Sequence, residues 1–230
     1  RAGTGGSTTN TITLTGMGGT LGGSNHGVTI GATTVIRLNG TGNSDTSTFL
    51  NCTGGSGGSS YGVNCASALG LAHGALYFTN ITGGTTGSTN YGLYIAAVVD
   101  APSIIGTDIY GGPGVNNNYG LYITTGGALG SALLGNLTIG AGSLGSGSNE
   151  YGIAIDNSGK ITAQNGTILT LVGTGGGSYA YSSGTNNHGI YVNSATLTVS
   201  NGGTATNTMT LTGIGGGGSG GHYGVNIAGA

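Results

Sequence analysis

The chain has 230 residues, of which 56 are Gly, and Thr, Ser and Asn supply a further 77. Gly is the poorest helix former after Pro, and Thr, Ser and Asn are mediocre, so this composition all but excludes helix. Only 3% of the residues are charged, with three Lys plus Arg against five Asp plus Glu. Three cations are too few to hold a phosphate backbone, which excludes nucleic acid as a partner.

Hydrophobic residues recur at regular places without forming a long apolar run. Ile, Leu, Val and Tyr are spread along the whole chain while charge is nearly absent, which predicts a folded chain and not a disordered one. No apolar stretch approaches the roughly 18 residues of a membrane-spanning helix, so we expect no membrane span. The chain starts at Arg1 without a signal segment, and we expect a processed chain or a fragment of a longer one.

A five-residue signature recurs seven times: Tyr or His, then Gly, then two apolar residues separated by one position of any type. Its aromatic members are His26, Tyr61, Tyr91, Tyr119, Tyr151, His188 and Tyr223. The Gly residues that follow them are 35, 30, 28, 32, 37 and 35 residues apart, with a mean near 33. A period of this size is typical of repeat architectures.

Each repeat contains three short segments with the pattern of β-strands. In chain order, a run of apolar or alternating apolar and Thr residues comes first, at 11–15, 49–52, 137–139, 168–171 and 208–212. The apolar residues of the signature follow, and a third segment comes next, for instance 34–38 and 195–199. Alternation with a period of two indicates strands with one buried face.

These segments predict an all-β fold, a parallel β-solenoid (β-helix) of about seven imperfect repeats of about 33 residues. We expect one domain over residues 1–230, beginning and ending within a repeat. Two inward columns should form its core: Val28, Val63, Leu93, Leu121, Ile153, Ile190 and Val225 in one, and Ile30, Cys65, Ile95, Ile123, Ile155, Val192 and Ile227 in the other. The spacing leaves open whether a repeat closes one wide coil or two narrow ones.

Stacked repeats should also align their polar and aromatic residues. We expect the seven signature aromatics to form a stacking ladder, and Asn25, Asn90, Asn118 and Asn187 to bond amide to amide. The Gly after each aromatic is predicted to take a positive φ or a bulged conformation at a corner, where a side chain would clash. Such ladders would hold the chain together without charge.

The two ends of the chain carry the same repeat. Residues 1–33 align without a gap on residues 198–230, and no polar cap is visible at either end. Unpaired strand edges are templates for adding another copy, so we expect head-to-tail self-association, either within a longer repeat chain or between separate subunits. The alternative is a segment trimmed from its neighbours that does not assemble by itself.

Two recurring blocks resemble a known family. Asn-Tyr-Gly-Leu-Tyr-Ile at 90–95 and Thr-Leu-Thr-Gly-Ile-Gly-Gly at 210–216 resemble repeats of the giant bacterial β-strand-repeat surface proteins. These proteins are related in style to filamentous-haemagglutinin exoproteins and autotransporter passengers. The resemblance implies an extracellular or cell-surface structural protein that builds a fibre, sheath or stalk, without a cofactor. An adhesin module that binds a glycan or host ligand on a lateral face is the alternative.

The acidic residues and the histidines are not arranged as an enzyme would require. The acids Asp45, Asp100, Asp108, Glu150 and Asp156 occupy different places along the repeats, whereas glycoside cleavage needs two carboxyl groups facing one groove. Glu150 and Asp156 flank a predicted strand, and we expect both to be solvated turn residues. His73 and His222 have no ligand partners at metal-binding spacing. We therefore predict no catalytic, cofactor-binding or metal site.

Two further groups of residues leave alternatives open. Cys52 and Cys65 both fall on inward positions, where they are either buried free thiols or a disulfide across a corner; the disulfide is favoured slightly in an exported chain. Tyr94, Tyr122 and Tyr191 lie on outward positions and are candidates for lateral contact with a neighbouring fibre or a glycan. Isolated surface tyrosines are the alternative.

Threonine rows suggest a third function. Thr11, Thr13 and Thr15 match Thr208, Thr210 and Thr212, and Thr-x-Thr rows on a flat face could order water as in an ice-binding protein. An ice-binding face needs an unbroken array, and the middle repeats interrupt this one. Ice binding is therefore the weakest of the three functions.

Overall fold

The computed structural model describes residues 10–31, 45–71, 73–130, 136–164, 168–177, 184–200 and 206–229. These residues form strands that join into three sheets, and no helix is present among them. None of the described residues belongs to a helix long and apolar enough to cross a membrane. The predicted segment 34–38 and the termini beyond residues 10 and 229 lie outside the described residues.

Sheet 1 contains the longest strands. They are, side by side, β1 (Thr11–Met17), β3 (Thr46–Thr53), β6 (Ala75–Thr82), β9 (Ser103–Gly111), β12 (Leu137–Ser143), β15 (Ile168–Thr174) and β18 (Thr208–Ile214). Each neighbouring pair is parallel. A parallel sheet built from strands 28 or more residues apart is what a solenoid requires.

Sheet 2 is formed by the signature segments, and sheet 3 by the segments that follow them. Sheet 2 contains β2 (Val28–Ile30), β4 (Val63–Cys65), β7 (Leu93–Ile95), β10 (Leu121–Ile123), β13 (Ile153–Asp156), β16 (Ile190–Asn193) and β19 (Val225–Ala228). Sheet 3 contains β5 (Leu69–Gly70), β8 (Val98–Asp100), β11 (Ala128–Gly130), β14 (Lys160–Gln164) and β17 (Thr196–Ser200). From β3 to β17 the chain visits the three sheets in this order once per repeat.

Each repeat therefore closes one wide coil, which settles the question that the spacing left open. Val28 pairs with Val63, and Val63 with Leu93, so equivalent signature residues are direct neighbours in adjacent coils. About six turns of about 32 residues separate the first and last copies. The prediction of a parallel β-solenoid with three strands per repeat is confirmed.

The core lies between the three sheets and follows the predicted columns. Leu93, Leu121, Ile153 and Ile190 are fully buried, as are Ile95, Ile123 and Ile155 in the next column. Sheet 1 contributes Phe49 and Phe78, whose rings stack at 5.1 Å, and sheet 3 contributes Val99, Leu129 and Ile161. Alternating side chains point inward because successive Cβ atoms of a strand face opposite sides.

The signature glycines have the predicted steric role but not the predicted conformation. None of the seven has a positive φ; the glycines that do lie in other turns, for example Gly87 and Gly126. A Cβ on Gly120 would lie 2.6 Å from backbone atoms of Gly142 and Gly152. The start of each sheet 2 strand thus touches the end of a sheet 1 strand, backbone to backbone. Glycine is required there by close approach, not by φ.

A bulge distinguishes the middle strands of sheet 1. Asn51, Asn80 and Asp108 have φ values of 53°, 54° and 55°, and each adds one residue to its strand. Asn80 Nδ2 donates to Asn51 Oδ1 at 2.7 Å, which ties two successive bulges together. β12 lacks the extra residue, so the register shifts opposite Asp108. Asn and Asp tolerate the left-handed region better than most residues.

Candidate functional site: the ladders and the terminal coils

The seven signature aromatics stack into one continuous ladder, as the sequence predicts. Successive ring centroids are 4.5, 4.9, 5.0, 4.8, 5.3 and 5.3 Å apart from His26 through Tyr61, Tyr91, Tyr119, Tyr151 and His188 to Tyr223. The distances follow the spacing of parallel strands, because equivalent residues of adjacent coils lie directly above one another. Stacked pairs contribute about 0.5–1.5 kcal/mol each beyond the area they bury.

Burial suppresses ionisation of the ladder tyrosines. It raises the pKa of Tyr61 to about 12, and it raises the pKa of Tyr91, Tyr119 and Tyr151 further above the usual phenol value. The Tyr151 hydroxyl donates to Asn149 Oδ1 at 3.2 Å. These phenols remain neutral donors at physiological pH, so the ladder carries no charge to be screened or repelled.

The outward tyrosines Tyr94, Tyr122 and Tyr191 are half-buried against this ladder. Tyr94 lies 4.8 Å from Tyr61, and Tyr191 lies 4.8 Å from Tyr151, measured between ring centroids. Tyr122 meets the Tyr119 ring edge to face at 5.3 Å. Their rings are therefore part of an aromatic layer on the outer face of sheet 2. Contact of these three residues with another molecule stays a prediction.

A polar ladder runs beside the aromatic one, one residue earlier in each repeat. Its members are Asn25, Ser60, Asn90, Asn118, Glu150, Asn187 and His222. Each backbone N–H donates to the side-chain acceptor of the next member at 3.0–3.2 Å. The prediction that side-chain amides would donate to one another is therefore wrong, because the donors are backbone N–H groups. The backbone donates because the corner turns these N–H groups along the solenoid axis.

Three ladder members were missed by the sequence prediction. Ser60, Glu150 and His222 occupy the position before the signature aromatic, as the four asparagines do, but the prediction included only the asparagines. Ser60 and Glu150 are completely buried. The feature that all seven share, and that the sequence shows, is a side-chain oxygen or nitrogen able to accept a hydrogen bond at this position.

Glu150 is a buried carboxyl group and not the solvated turn residue that we expected. Oε2 accepts from the backbone N–H of Asn118 at 3.1 Å and from Ser143 Oγ at 2.8 Å, and Oε1 accepts from Asn118 Nδ2 at 3.0 Å. Burial raises the pKa of Glu150 to about 7, although these donors act in the opposite direction. Asp156 accepts from Asn193 Nδ2 at 2.7 Å. Loss of water around Glu150 outweighs the hydrogen bonds that its carboxylate accepts.

Two ladder histidines serve as neutral acceptors. His26 Nδ1 accepts from the backbone N–H of Tyr61 at 3.1 Å, and His188 Nδ1 accepts from that of Tyr223 at 3.1 Å. Burial lowers the pKa of both rings. A protonated ring would direct its Nδ1–H at the donor, so the neutral form is the one that fits. Their role is that of Tyr with an added acceptor.

Cys52 and Cys65 are both buried free thiols in this structure. The disulfide favoured from the sequence is not formed in it. Cys52 Sγ lies 3.6 Å from the carbonyl oxygens of Leu14 and Leu50, and burial raises the pKa of Cys65 to about 12. The inward positions predicted for both residues are correct, and the thiols pack there as small apolar groups.

The threonine rows on the outer face of sheet 1 are interrupted. Thr13 pairs with Thr48, but the next two residues across the sheet are Tyr77 and Ile105 before Thr138 resumes the row. The row is thus broken in the middle coils, as the sequence indicated. Threonines are adjacent across only two or three neighbouring coils and do not form a continuous array.

The last described coil exposes residues whose equivalents in interior coils are buried. Ile227 is 69% exposed and Val225 37% exposed, whereas their equivalents Ile155 and Ile153 are completely buried. Tyr223 at the end of the aromatic ladder is 56% exposed, compared with 7% for Tyr151. Among the described residues, no group of three or more His, Cys, Asp and Glu side chains is arranged to hold a metal ion.

Comparisons with protein-family models, with curated proteins and with solved structures find no match to this chain. The structure by itself identifies a β-solenoid repeat protein.

Proposed function

We propose that this chain is a non-enzymatic structural protein whose coils propagate end to end into an extracellular or cell-surface fibre, sheath or stalk. Its three parallel sheets, its apolar columns and its aromatic and polar ladders all run along one axis. A structure of this kind gains the same contacts with every coil that is added. The proposal covers both a longer repeat chain and separate copies that stack.

The observation that carries this proposal is the match between the first and last described coils. β1 and β18 share Thr11/Thr208, Thr13/Thr210 and Leu14/Leu211, and β2 and β19 share Val28/Val225 and Ile30/Ile227. A coil that fits below one of them therefore fits below the other. Such a coil would cover Tyr223, Val225 and Ile227, which are at least 37% exposed.

The polar ladder has a direction that supports head-to-tail addition. Each coil offers a side-chain acceptor on one side and a backbone donor on the other, from Asn25 at one end to His222 at the other. The His222 N–H is therefore oriented to meet an acceptor at the Asn25 position of an added coil. Copies stacked head to head would place acceptor on acceptor, which is unfavourable.

The giant bacterial β-strand-repeat surface proteins remain the family that the sequence resembles. The solenoid architecture supports a relationship of this kind, and the recurring Tyr-Gly and Thr-Leu-Thr blocks lie at equivalent positions of the coils that contain them. We include a filamentous-haemagglutinin-like identity in the proposal on this basis. Its function would be mechanical, since the ladders would stiffen the solenoid without a cofactor and with a single carboxyl group, Glu150, among their members.

Electron microscopy with two matched variants tests the proposal. The purified chain should form fibres with an axial repeat of about 34 Å, which is seven coils at the spacing of parallel strands. Ile227→Lys places a charge in the exposed end of the core and should leave short particles. Val98→Lys is the control, because it makes the same change at an apolar residue that is 51% exposed on the side of the solenoid.

Fibres from the control but not from Ile227→Lys would support end-to-end stacking. Monodisperse particles from all three proteins would contradict assembly of separate copies. Equal fibres from Ile227→Lys would show that the end of the core is not the contact.

A further inference from the structure

The outer face of sheet 1 contains a depression over β12. Two residues on the outward side of this strand, Gly140 and Gly142, have no side chain. Gly140 pairs with Val172 of β15, and Gly142 pairs with Tyr110 of β9 and Thr174 of β15. The resulting depression has a volume of about 360 Å³. This volume falls in the range of sites that bind small molecules.

The depression is open because of the glycines and not because of a gap in the backbone. A Cβ on Gly140 would meet nothing closer than the carbonyl oxygen of Gly106 at 3.9 Å. The flanking strands β9 and β15 are two strand spacings apart, about 9.6 Å. Their outward side chains form the two walls, and this width accommodates one sugar ring lying along the strand.

One wall contains an aromatic ring. Cδ1 and Cε1 of Tyr110 are both 3.3 Å from the position that a Cβ of Gly142 would occupy, so the ring leans over that glycine. Tyr110 is half-buried and, among the described residues, stacks on no other aromatic side chain. Its ring therefore differs from those of the ladder tyrosines, whose faces are occupied by one another.

The same wall contains the carboxylate of Asp108. Asp45 accepts from the backbone N–H of Asn10 at 2.9 Å, and Glu150 and Asp156 also accept hydrogen bonds from amides of the chain. Asp108 is exposed at the bulge of β9 and accepts no hydrogen bond from any described residue. The bulge sets two residues of β9 opposite Gly140 and so brings Asp108 to the rim.

We propose that this depression binds an uncharged pyranose sugar. The Tyr110 ring would pack against the apolar C–H face of the sugar, and the Asp108 carboxylate would accept hydrogen bonds from two of its hydroxyl groups. Thr138 and Thr174 add hydroxyls at the edges, and Val172 provides an apolar contact on the opposite wall. This combination of one aromatic, one acceptor pair and a bare floor suits a ring with polar edges and apolar faces.

Other ligand classes fit these residues less well. None of the described residues that line the depression is Lys or Arg, so a phosphate or another anion would be repelled by Asp108 without compensation. A purely apolar ligand would leave the carboxylate desolvated and unpaired. An amino sugar shares the pyranose chemistry, and one arm of the test distinguishes it from an uncharged sugar.

Saturation-transfer NMR with methyl β-D-glucoside, methyl β-D-galactoside and methyl α-D-mannoside tests the proposal, with glucosamine as the cationic arm. At least one neutral glycoside should bind the unmodified chain. Gly140→Thr restores a side chain of the size found in neighbouring coils, and it should weaken binding at least tenfold by filling the depression. Asp108→Asn and Tyr110→Ala should each weaken binding several-fold.

Tyr77→Ala is the matched control, because Tyr77 lies on the same face of sheet 1 but does not line the depression. It should bind like the unmodified chain. The proposal would be overturned if no neutral glycoside binds, if only glucosamine binds, or if Gly140→Thr binds normally. A melting temperature of Gly140→Thr equal to that of the unmodified chain would show that any loss of sugar binding is local and not due to unfolding. This inference does not depend on fibre formation, since the depression lies on the side of the solenoid.

Discussion

At the scale of single residues, the burial and hydrogen bonding of a side chain depend more on its position in the repeat than on its residue type. Glu150 is chemically unlike Asn118, yet both occupy the position before the signature aromatic, and both are completely buried. The corner of the coil encloses whatever side chain stands there and supplies donors from the adjacent coil. A carboxylic acid in this position behaves as an acceptor in a ladder of amides.

The buried Glu150 predicts a specific dependence of stability on pH. Its pKa is raised to about 7 in the folded state, so the folded chain holds a proton that the unfolded chain releases near pH 4.5. The stabilisation is fully present below pH 4.5 and is lost as the pH rises through 7. Glu150→Gln should remove this loss, on the order of 3 kcal/mol.

Chemical denaturation of both proteins between pH 4 and pH 8 measures this effect. The free energy of unfolding of Glu150→Gln relative to the unmodified chain should increase across this interval. Taking the difference cancels the opposite effect of His26 and His188, whose lowered pKa values make acid destabilising. Asp108→Asn controls for the change in net charge. A difference that does not vary with pH would contradict the assignment.

At the scale of the element, close contact between sheets 1 and 2 limits which residues can begin a sheet 2 strand. A Cβ on the signature glycines would lie within 2.8 Å of backbone atoms, for example those of Tyr110 beside Gly92. Backbone atoms cannot move aside as side chains can. The Gly of the signature is thus as important for closing the coil as the two apolar residues that follow it.

Gly120→Ala should destabilise the chain severely. Its Cβ would lie 2.6 Å from three backbone atoms of Gly142 and Gly152, and overpacking of this kind costs about 1–3 kcal/mol and occasionally more. Gly140→Ala is the control, because it adds the same methyl group in open space on a sheet 1 strand. Denaturant midpoints compare the two. Similar midpoints for both variants would show that the corner can open.

At the scale of the whole molecule, cohesion depends on repeated uncharged contacts. Only 3% of the residues are charged, whereas the apolar core runs through every coil between the three sheets. Salt weakens ion pairs between exposed groups but leaves apolar packing and buried hydrogen bonds largely unaffected. The same properties would suit a rod that must resist changing surroundings.

The melting temperature at pH 7 should therefore be nearly independent of sodium chloride. Between about 0.01 and 0.5 M salt, over which the Debye length falls from about 30 Å to less than 10 Å, we expect a change of about 2 °C or less. Circular dichroism during heating measures it. A decrease of more than about 5 °C would show that ion pairs support the fold.

Much of this architecture is readable from the sequence because the information is local. Alternation with a period of two identifies which side chains point inward, and the recurrence of Tyr-Gly-Leu-Tyr-Ile places equivalent strands side by side. The interior members of the core columns, the three strands per coil and the aromatic ladder are predicted correctly from such patterns, whereas Val225 and Ile227 at the end of the columns are exposed. Each depends only on parity and repeat position.

Tertiary structure decided the features that depend on the adjacent coil. Burial of Glu150, the direction of the polar ladder and the backbone contact at Gly120 arise between residues 22 to 37 positions apart. The depression over Gly140 exists because β9 and β15 raise side chains on both sides of it. Local patterns identify where a side chain points, but only packing of neighbouring coils determines what it meets there.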